Sequence, residues 1–359
     1  MKGLTDTPET KEYRSPGYNF VFRKKDGFFA RWGKTFDDDP EFSPIGPEIL
    51  DLEISTHACP DGGRCKWCYK NNLSEPGENM SYATFCQILE KVGPQLTQLA
   101  FGITGVQSNP DFIPMMRRCR EVGVIPNFTL TGRDLTPGLA QEIAKLAGAL
   151  AVSCYDFDKN MCYDTIKTFT DLGMTQVNMH LFSCNENEAF INEVLQDRLH
   201  DPRLQKMNAI VFLGMKPKGR AKGRFHTMPP ESFRRIVNFC LDNGIAFGFD
   251  SCSAPKFDDA IAGRTLTDAQ RKLMQMTSES CESSLFSAYI NVRGEYWNCS
   301  FSENETGITP VNVLTAEDFL RDVWFSAPVN EFRKRLLATS VGGARRCPVF
   351  PEINPPVSS

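Results

Sequence analysis

Cys59, Cys65 and Cys68 form the pattern Cys59-x5-Cys65-x2-Cys68, inside Thr56-His57-Ala58-Cys59-Pro60-Asp61-Gly62-Gly63-Arg64-Cys65-Lys66-Trp67-Cys68-Tyr69. Three thiolates on one loop can hold three irons of a cubic iron–sulfur cluster. With no fourth cysteine nearby, the fourth iron is open to a small ligand. Such a cluster is a site for chemistry, whereas a fully ligated one carries electrons. Two other chemistries use the same residues. A closed zinc site needs four ligands, and His57 could be the fourth. A redox Cys-x-x-Cys would use Cys65 and Cys68 and leave Cys59 idle.

The loop must be held by a scaffold, and the chain has the length for one. Its 359 residues suffice for a large α/β domain, alone or with a small companion. Hydrophobic residues make up 41% and charged residues 23%, the balance of a soluble protein. A net charge of −4 offers no general pull toward nucleic acid or an anionic membrane. No apolar run reaches membrane-spanning length, and Met1 to Tyr13 carries no signal-peptide pattern. Thirteen cysteines without an export signal fit a reducing cytosol, with thiols free for metal, better than disulfides.

Residues 1–15 read as flexible, and Tyr18 to Trp32 as a hairpin around Asp26-Gly27. Together with an acidic, proline-bearing loop they make an N-terminal segment, 1–47. From residue 48 to 250 strands and helices alternate. Strands are expected over 50–54, 98–103, 126–131, 150–153, 176–182, 208–213 and 247–250, with helical segments between them. This alternation implies a parallel sheet with right-handed crossovers. Six strand–helix units make a partial or full barrel with its working loops at the C-terminal strand ends. The cysteine loop leaves the first strand at that face. After Asp250 the pattern changes. A hairpin over 287–297 and helices over 268–276, 316–322 and 329–337 mark a small C-terminal unit, 251–359.

The cysteine loop, with an aromatic residue before its last cysteine, resembles that of radical S-adenosylmethionine (SAM) enzymes. That family usually has three residues between its first two cysteines, so this chain carries a two-residue insertion. The resemblance implies a partial (β/α)6 barrel and a [4Fe-4S] cluster whose open iron chelates SAM. It also implies reductive SAM cleavage to a 5′-deoxyadenosyl radical that takes hydrogen from a substrate. Carried over strand by strand, the SAM-facing positions are Trp67, Gly102, Thr104, Gly105, Thr129, Thr131, Ser153, Asn178, His180 and Leu213. Each has a plainer reading as a turn, core or rim residue. The family's acidic residue after the glycine turn is replaced here by Val106-Gln107.

Downstream, Cys281-x12-Gly294-x4-Cys299 resembles the opening of the SPASM/Twitch extension, where a hairpin presents cysteines to an auxiliary [4Fe-4S] cluster. Cys347 is the natural later ligand and Cys252 the candidate fourth. Without Cys252 that cluster would keep an open iron. The remaining cysteines read as packing residues. An alternating basic run, Lys216, Lys218, Arg220, Lys222 and Arg224, follows the sixth strand. It could engage an acidic ligand group or be a solvated loop. The expected activity is radical SAM oxidoreductase chemistry in the cytoplasm, fed by a flavodoxin or ferredoxin, on a peptide. The alternatives are a dehydrogenase or isomerase of a small molecule or nucleotide, or a non-catalytic iron–sulfur or zinc protein.

Overall fold

A computed structural model of the chain describes residues 1–73, 76–340 and 344–354. Four short strands open it: β1 (Leu4–Asp6), β2 (Thr10–Tyr13), β3 (Asn19–Arg23) and β4 (Phe29–Trp32), paired antiparallel in sequence order. The β3–β4 hairpin turns at Asp26-Gly27 as expected, but residues 1–15 are not a flexible tail. Lys11, fully buried, donates from its ammonium to the carbonyls of Pro94 (3.0 Å) and Leu96 (2.7 Å). Those bonds satisfy a charge that the sequence pattern assigned to solvent. Tyr13, Tyr18 and Phe20 then pack against Leu285, Phe286 and Leu336 from the far end of the chain.

The second sheet alternates with helices: β5 (Ile49–Glu53), α1 (Tyr82–Val92), β6 (Gln98–Gly102), α2 (Phe112–Glu121), β7 (Ile125–Leu130), α3 (Pro137–Leu146), β8 (Leu150–Cys154), α4 (Lys159–Asp171), β9 (Val177–Ser183), α5 (Glu188–His200), β10 (Ala209–Gly214), α6 (Pro230–Asp242) and β11 (Phe247–Phe249). All of these strands run parallel, each beside its predecessor. Local signals start the helices. Ser81, Thr136 and Asp158 cap α1, α3 and α4 by accepting from backbone N–H groups, and Pro137 occupies the first turn of α3.

After β11 come α7 (Ala254–Ala262), α8 (Asp268–Met276), the hairpin β12 (Ser287–Ile290) and β13 (Glu295–Trp297), β14 (Val311–Asn312) and α9 (Ala327–Ala338). The sequence reading lacked α7. The helix expected over 316–322 is instead a π-helical turn, Leu320–Trp324. The hairpin joins the large sheet, because β12 lies parallel to β5 and places Tyr289 opposite Asp51. The order is β11-β10-β9-β8-β7-β6-β5-β12-β13-β14, an open, partial barrel.

The barrel wall has two distinct faces. Along β9, Val177, Met179 and Leu181 are fully buried under the helices, while Asn178, His180 and Phe182 face inward and are only partly covered. On β5, Leu50 and Leu52 are buried, whereas Asp51 is exposed although it lies mid-strand. Strands of parallel sheets are normally covered on both faces. Solvent access at the centre of this one means the barrel is hollow.

Candidate functional site

The Cys59–Cys68 loop leaves β5 at the mouth of the barrel. The Gly62-Gly63 stretch between Cys59 and Cys65 is folded in. The Gly62 N–H donates to Cys59 O (2.9 Å), and Gly62 and Gly63 both have positive φ. A Cβ on Gly63 would lie 2.6 Å from Leu73 Cδ2. Buried Asp61 is ion-paired with Arg133, which also holds Asp158 at 2.8 Å. Arg220, from the loop after β10, donates to the Gly63 carbonyl (2.5 Å). Trp67 stacks on Phe182, with centroids 4.8 Å apart and planes 4° apart, and meets Phe225 edge-on. Trp67 thus ties the loop to the end of β9.

Burial pushes the Cys65 thiol up to about 12 and raises Cys59 as well. Cys68 adds to the rise at both, Asp61 adds to it at Cys59 and Cys59 at Cys65, and Arg220 opposes it at both. Sheltered thiols gathered this way ionise at high cost unless a cation takes the proton's place. The donor set therefore suits a thiolate-bound metal group.

Around the loop, the strand ends carry the other candidate positions. The Thr104 hydroxyl is buried without a hydrogen-bond partner among the described residues. Such an atom is costly unless a ligand satisfies it. A Cβ on Gly105 would fall 2.5 Å from Asp134 Oδ2 and 3.1 Å from Pro60 Cγ, so a side chain there would displace the Asp134 carboxylate. Thr129 Oγ1 lies 3.3 Å from His180 Nδ1, and Ser153 stands beside His180 in register. Burial lowers His180 to about 4, with Asp250 opposing. Gly102 ends β6, Thr131 follows β7, and Leu213 lies near the end of β10. Asn178 sits at the opposite end of β9, where its side-chain oxygen accepts from Asn208 (2.9 Å).

Cys252, Cys281, Cys299 and Cys347 come from four separate segments and line one cavity. Cys252 lies in a short turn after β11, Cys281 precedes β12, and Cys299 follows β13. The C-terminal segment is latched to this group. Arg345 donates to Cys281 O (2.7 Å), Asn354 donates to Cys252 O (2.6 Å), and Phe350 N–H donates to Cys347 Sγ (3.3 Å). Burial raises Cys281 and Cys252 and pushes Cys347 up to about 12, and neighbouring thiols add to each rise. Among the described residues, no three His, Cys, Asp or Glu side chains gather tightly enough for a lone metal ion. Cys119, Cys154, Cys162, Cys184 and Cys240 are buried, and Cys86 is partly so.

The two cysteine sets are joined physically. Lys216 and Arg220 come from one loop, and Lys216 acts on Cys252 from one side while Arg220 acts on Cys59 and Cys65 from the other. Tyr69, just past Cys68, packs on Phe301, just past Cys299, with centroids 4.5 Å apart. Lys70 pairs with Glu53 (2.9 Å) and with Glu303, and donates to Tyr289 Oη (2.5 Å). The basic run is therefore partly structural. Lys216 is buried against Asp250, and Lys218 reaches Glu305 (3.2 Å). Sequence reading passed over Asp51 and Glu53. Their two-residue spacing within an apolar strand was the available signal, because it sets both on one face.

No family model matches the sequence, and no curated protein matches it either. Solved structures do share the fold. One is Streptococcus suis SuiB bound to S-adenosylmethionine, at 11% identity and TM-score 0.68, covering 92% of this chain and 90% of that one. Another is SuiB bound to precursor peptide SuiA, at 12% identity and TM-score 0.67, covering 91% and 90%. A third is anSMEcpe with bound AdoMet and Cp18Cys peptide, at 13% identity and TM-score 0.61, covering 82% and 84%. At this identity the likeness concerns the fold, and the chemistry has to be argued from the site. Among the described residues no helix is long and apolar enough to cross a membrane.

Proposed function

We propose that this chain is a radical SAM enzyme that modifies a peptide. In this reading Cys59, Cys65 and Cys68 hold a [4Fe-4S] cluster with one open iron. Trp67, Gly102, Thr104, Gly105, Thr129, Thr131, Ser153, His180 and Leu213 surround SAM; Asn178 lies at the other end of its strand and is the weakest member of that set. Cys252, Cys281, Cys299 and Cys347 hold an auxiliary [4Fe-4S] cluster in a Twitch-like extension. The carrying observation is that two separate thiol sets flank a single loop: Lys216 lies by Cys252 in the cavity lined by Cys252, Cys281, Cys299 and Cys347, and Arg220 acts on Cys59 and Cys65.

Bound together, the cluster and SAM supply a 5′-deoxyadenosyl radical able to take hydrogen from a substrate C–H bond. The chain's own work is orientation and shelter. Arg133 and Arg220 fix the loop, Trp67 and Phe182 wall it off, and the buried Thr104 hydroxyl offers a hydrogen bond to SAM. A peptide is favoured because SuiB and anSMEcpe, which share the fold, have been captured with peptides. Electrons would come from a low-potential donor such as flavodoxin or ferredoxin, in the cytoplasm. The test is SAM cleavage under a low-potential reductant. Wild type should form 5′-deoxyadenosine and Cys65→Ala should not. Equal cleavage by both would remove the role given to this loop.

A further inference from the structure

Between Cys281 and β12 the chain turns sharply, and the turn sends two neighbouring serines to different surroundings. Ser284 is fully buried and holds a φ of 59°, a left-handed backbone uncommon for a residue with a side chain. Its hydroxyl donates to Asn298 Oδ1 (2.9 Å) and accepts from the Tyr296 hydroxyl (2.8 Å), and buried Arg333 donates to its carbonyl. Such a conformation costs about 1–3 kcal/mol and persists only where the surroundings over-determine it, as these three partners do. Ser283 makes none of those bonds. It lines the cavity of the four cysteines, with its Oγ 3.4 Å from Cys281 Sγ. A metal-bound thiolate can only accept, so the hydroxyl is then the donor. The Phe350 N–H donates to Cys347 Sγ of the same set at 3.3 Å. Reduction adds negative charge to a cluster and its sulfurs. A hydrogen bond to sulfur stabilises that added charge and so raises the potential.

We infer that Ser283 is a positioning residue of the auxiliary site, held by the strained turn at Ser284 so that its hydroxyl donates to the Cys281 thiolate and sets the site's reduction potential higher than the four cysteines alone would. This rests on the reading above, in which Cys252, Cys281, Cys299 and Cys347 hold a cluster. The Phe350 donor belongs to the backbone and stays whatever the side chain, whereas the Ser283 donor is removed by a single substitution.

The experiment uses the full chain, reconstituted anaerobically and titrated with a low-potential reductant while EPR follows each cluster. The first-set cluster is identified by its spectral change on adding SAM and serves as the internal reference. Ser283→Ala should leave the auxiliary cluster about tenfold harder to reduce at equilibrium, a fall of about 59 mV for one electron, without moving the reference. Ser283→Thr keeps the hydroxyl and should stay within about threefold of wild type. A rise in Ser283→Ala, a fall of less than about threefold, an equal shift in both variants or an equal shift in the reference overturns the assignment. Loss of the auxiliary cluster from Ser283→Ala would make Ser283 a support for assembly, and also overturns it. Wild type that assembles only the SAM-responsive cluster removes the two-cluster reading and the inference with it. Two assembled clusters with an unmoved auxiliary potential remove the inference alone.

Discussion

Arg31 connects the N-terminal sheet to the segment that carries Cys281, and removing it should be expensive. Its guanidinium donates to Glu48 at 2.7 Å and to Glu282 at 2.8 Å, and lies 3.3 Å from the Phe286 ring centroid. Glu48 is 2% exposed and also accepts from the Tyr18 hydroxyl; Glu282 is 14% exposed and adjoins Cys281. Arg31→Met keeps an apolar stem over Phe286 but leaves both carboxylates without their cation. Breaking a buried pair from one side costs about 3–5 kcal/mol. The lower end applies here. Burial already pushes Glu48 up to about 8, so protonation offers it an escape, and Glu282 retains some water. With a urea m-value of about 3 kcal/mol/M, a loss of about 3 kcal/mol lowers the unfolding midpoint by about 1 M. Adding Glu48→Gln to the variant should restore part of it, because the orphaned charge is gone. A midpoint shift below about 0.2 M, or a further loss in the double variant, would refute the reasoning.

Two other outcomes follow from the site. His180 is lowered to about 4, against about 6.5 in an unfolded chain, so the unfolded state binds the extra proton between these values. Wild-type stability should therefore fall as pH drops from about 6.5 toward 4, and His180→Gln should lack that share of the loss. Urea midpoints measured across this window that run parallel for the two proteins would contradict the buried, neutral imidazole. Gly63→Ala forces a methyl against Leu73 at a positive φ, a strain of about 1–3 kcal/mol. It should release iron from the first cysteine set to a chelator faster than wild type, and equal release rates would mean the insertion does not position the thiols.

Much of the scaffold was legible because period and punctuation agreed. Strands β5 to β11 alternate with helices whose caps, such as Ser81 and Thr136, are written locally. The cysteine spacings likewise divide these residues into two groups. What stayed hidden were effects of distant partners. Thr10 to Tyr13 is polar enough to read as a tail, yet Lys11 finds carbonyls 83 and 85 residues away. The parallel pairing of β12 with β5 leaves no mark in either strand, so the hairpin read as part of a separate unit. The alternating basic run gave no hint that Lys216 would be buried on Asp250 while Arg220 bonds the cysteine loop, because both partners lie in other segments. Asp51 and Glu53 show the same limit, since nothing within the strand itself says that Lys70 will pair with Glu53 while Asp51 stays exposed.

The central claim is that two cysteine sets hold two clusters, and iron and sulfide analysis of anaerobically reconstituted protein tests it most directly. About eight irons and a matching amount of sulfide per chain are predicted, from two cubic clusters of four. Replacing Cys59, Cys65 and Cys68 together by Ala should leave about half, held by Cys252, Cys281, Cys299 and Cys347. Stoichiometric zinc without sulfide, or a triple variant that keeps all its iron, would contradict the account.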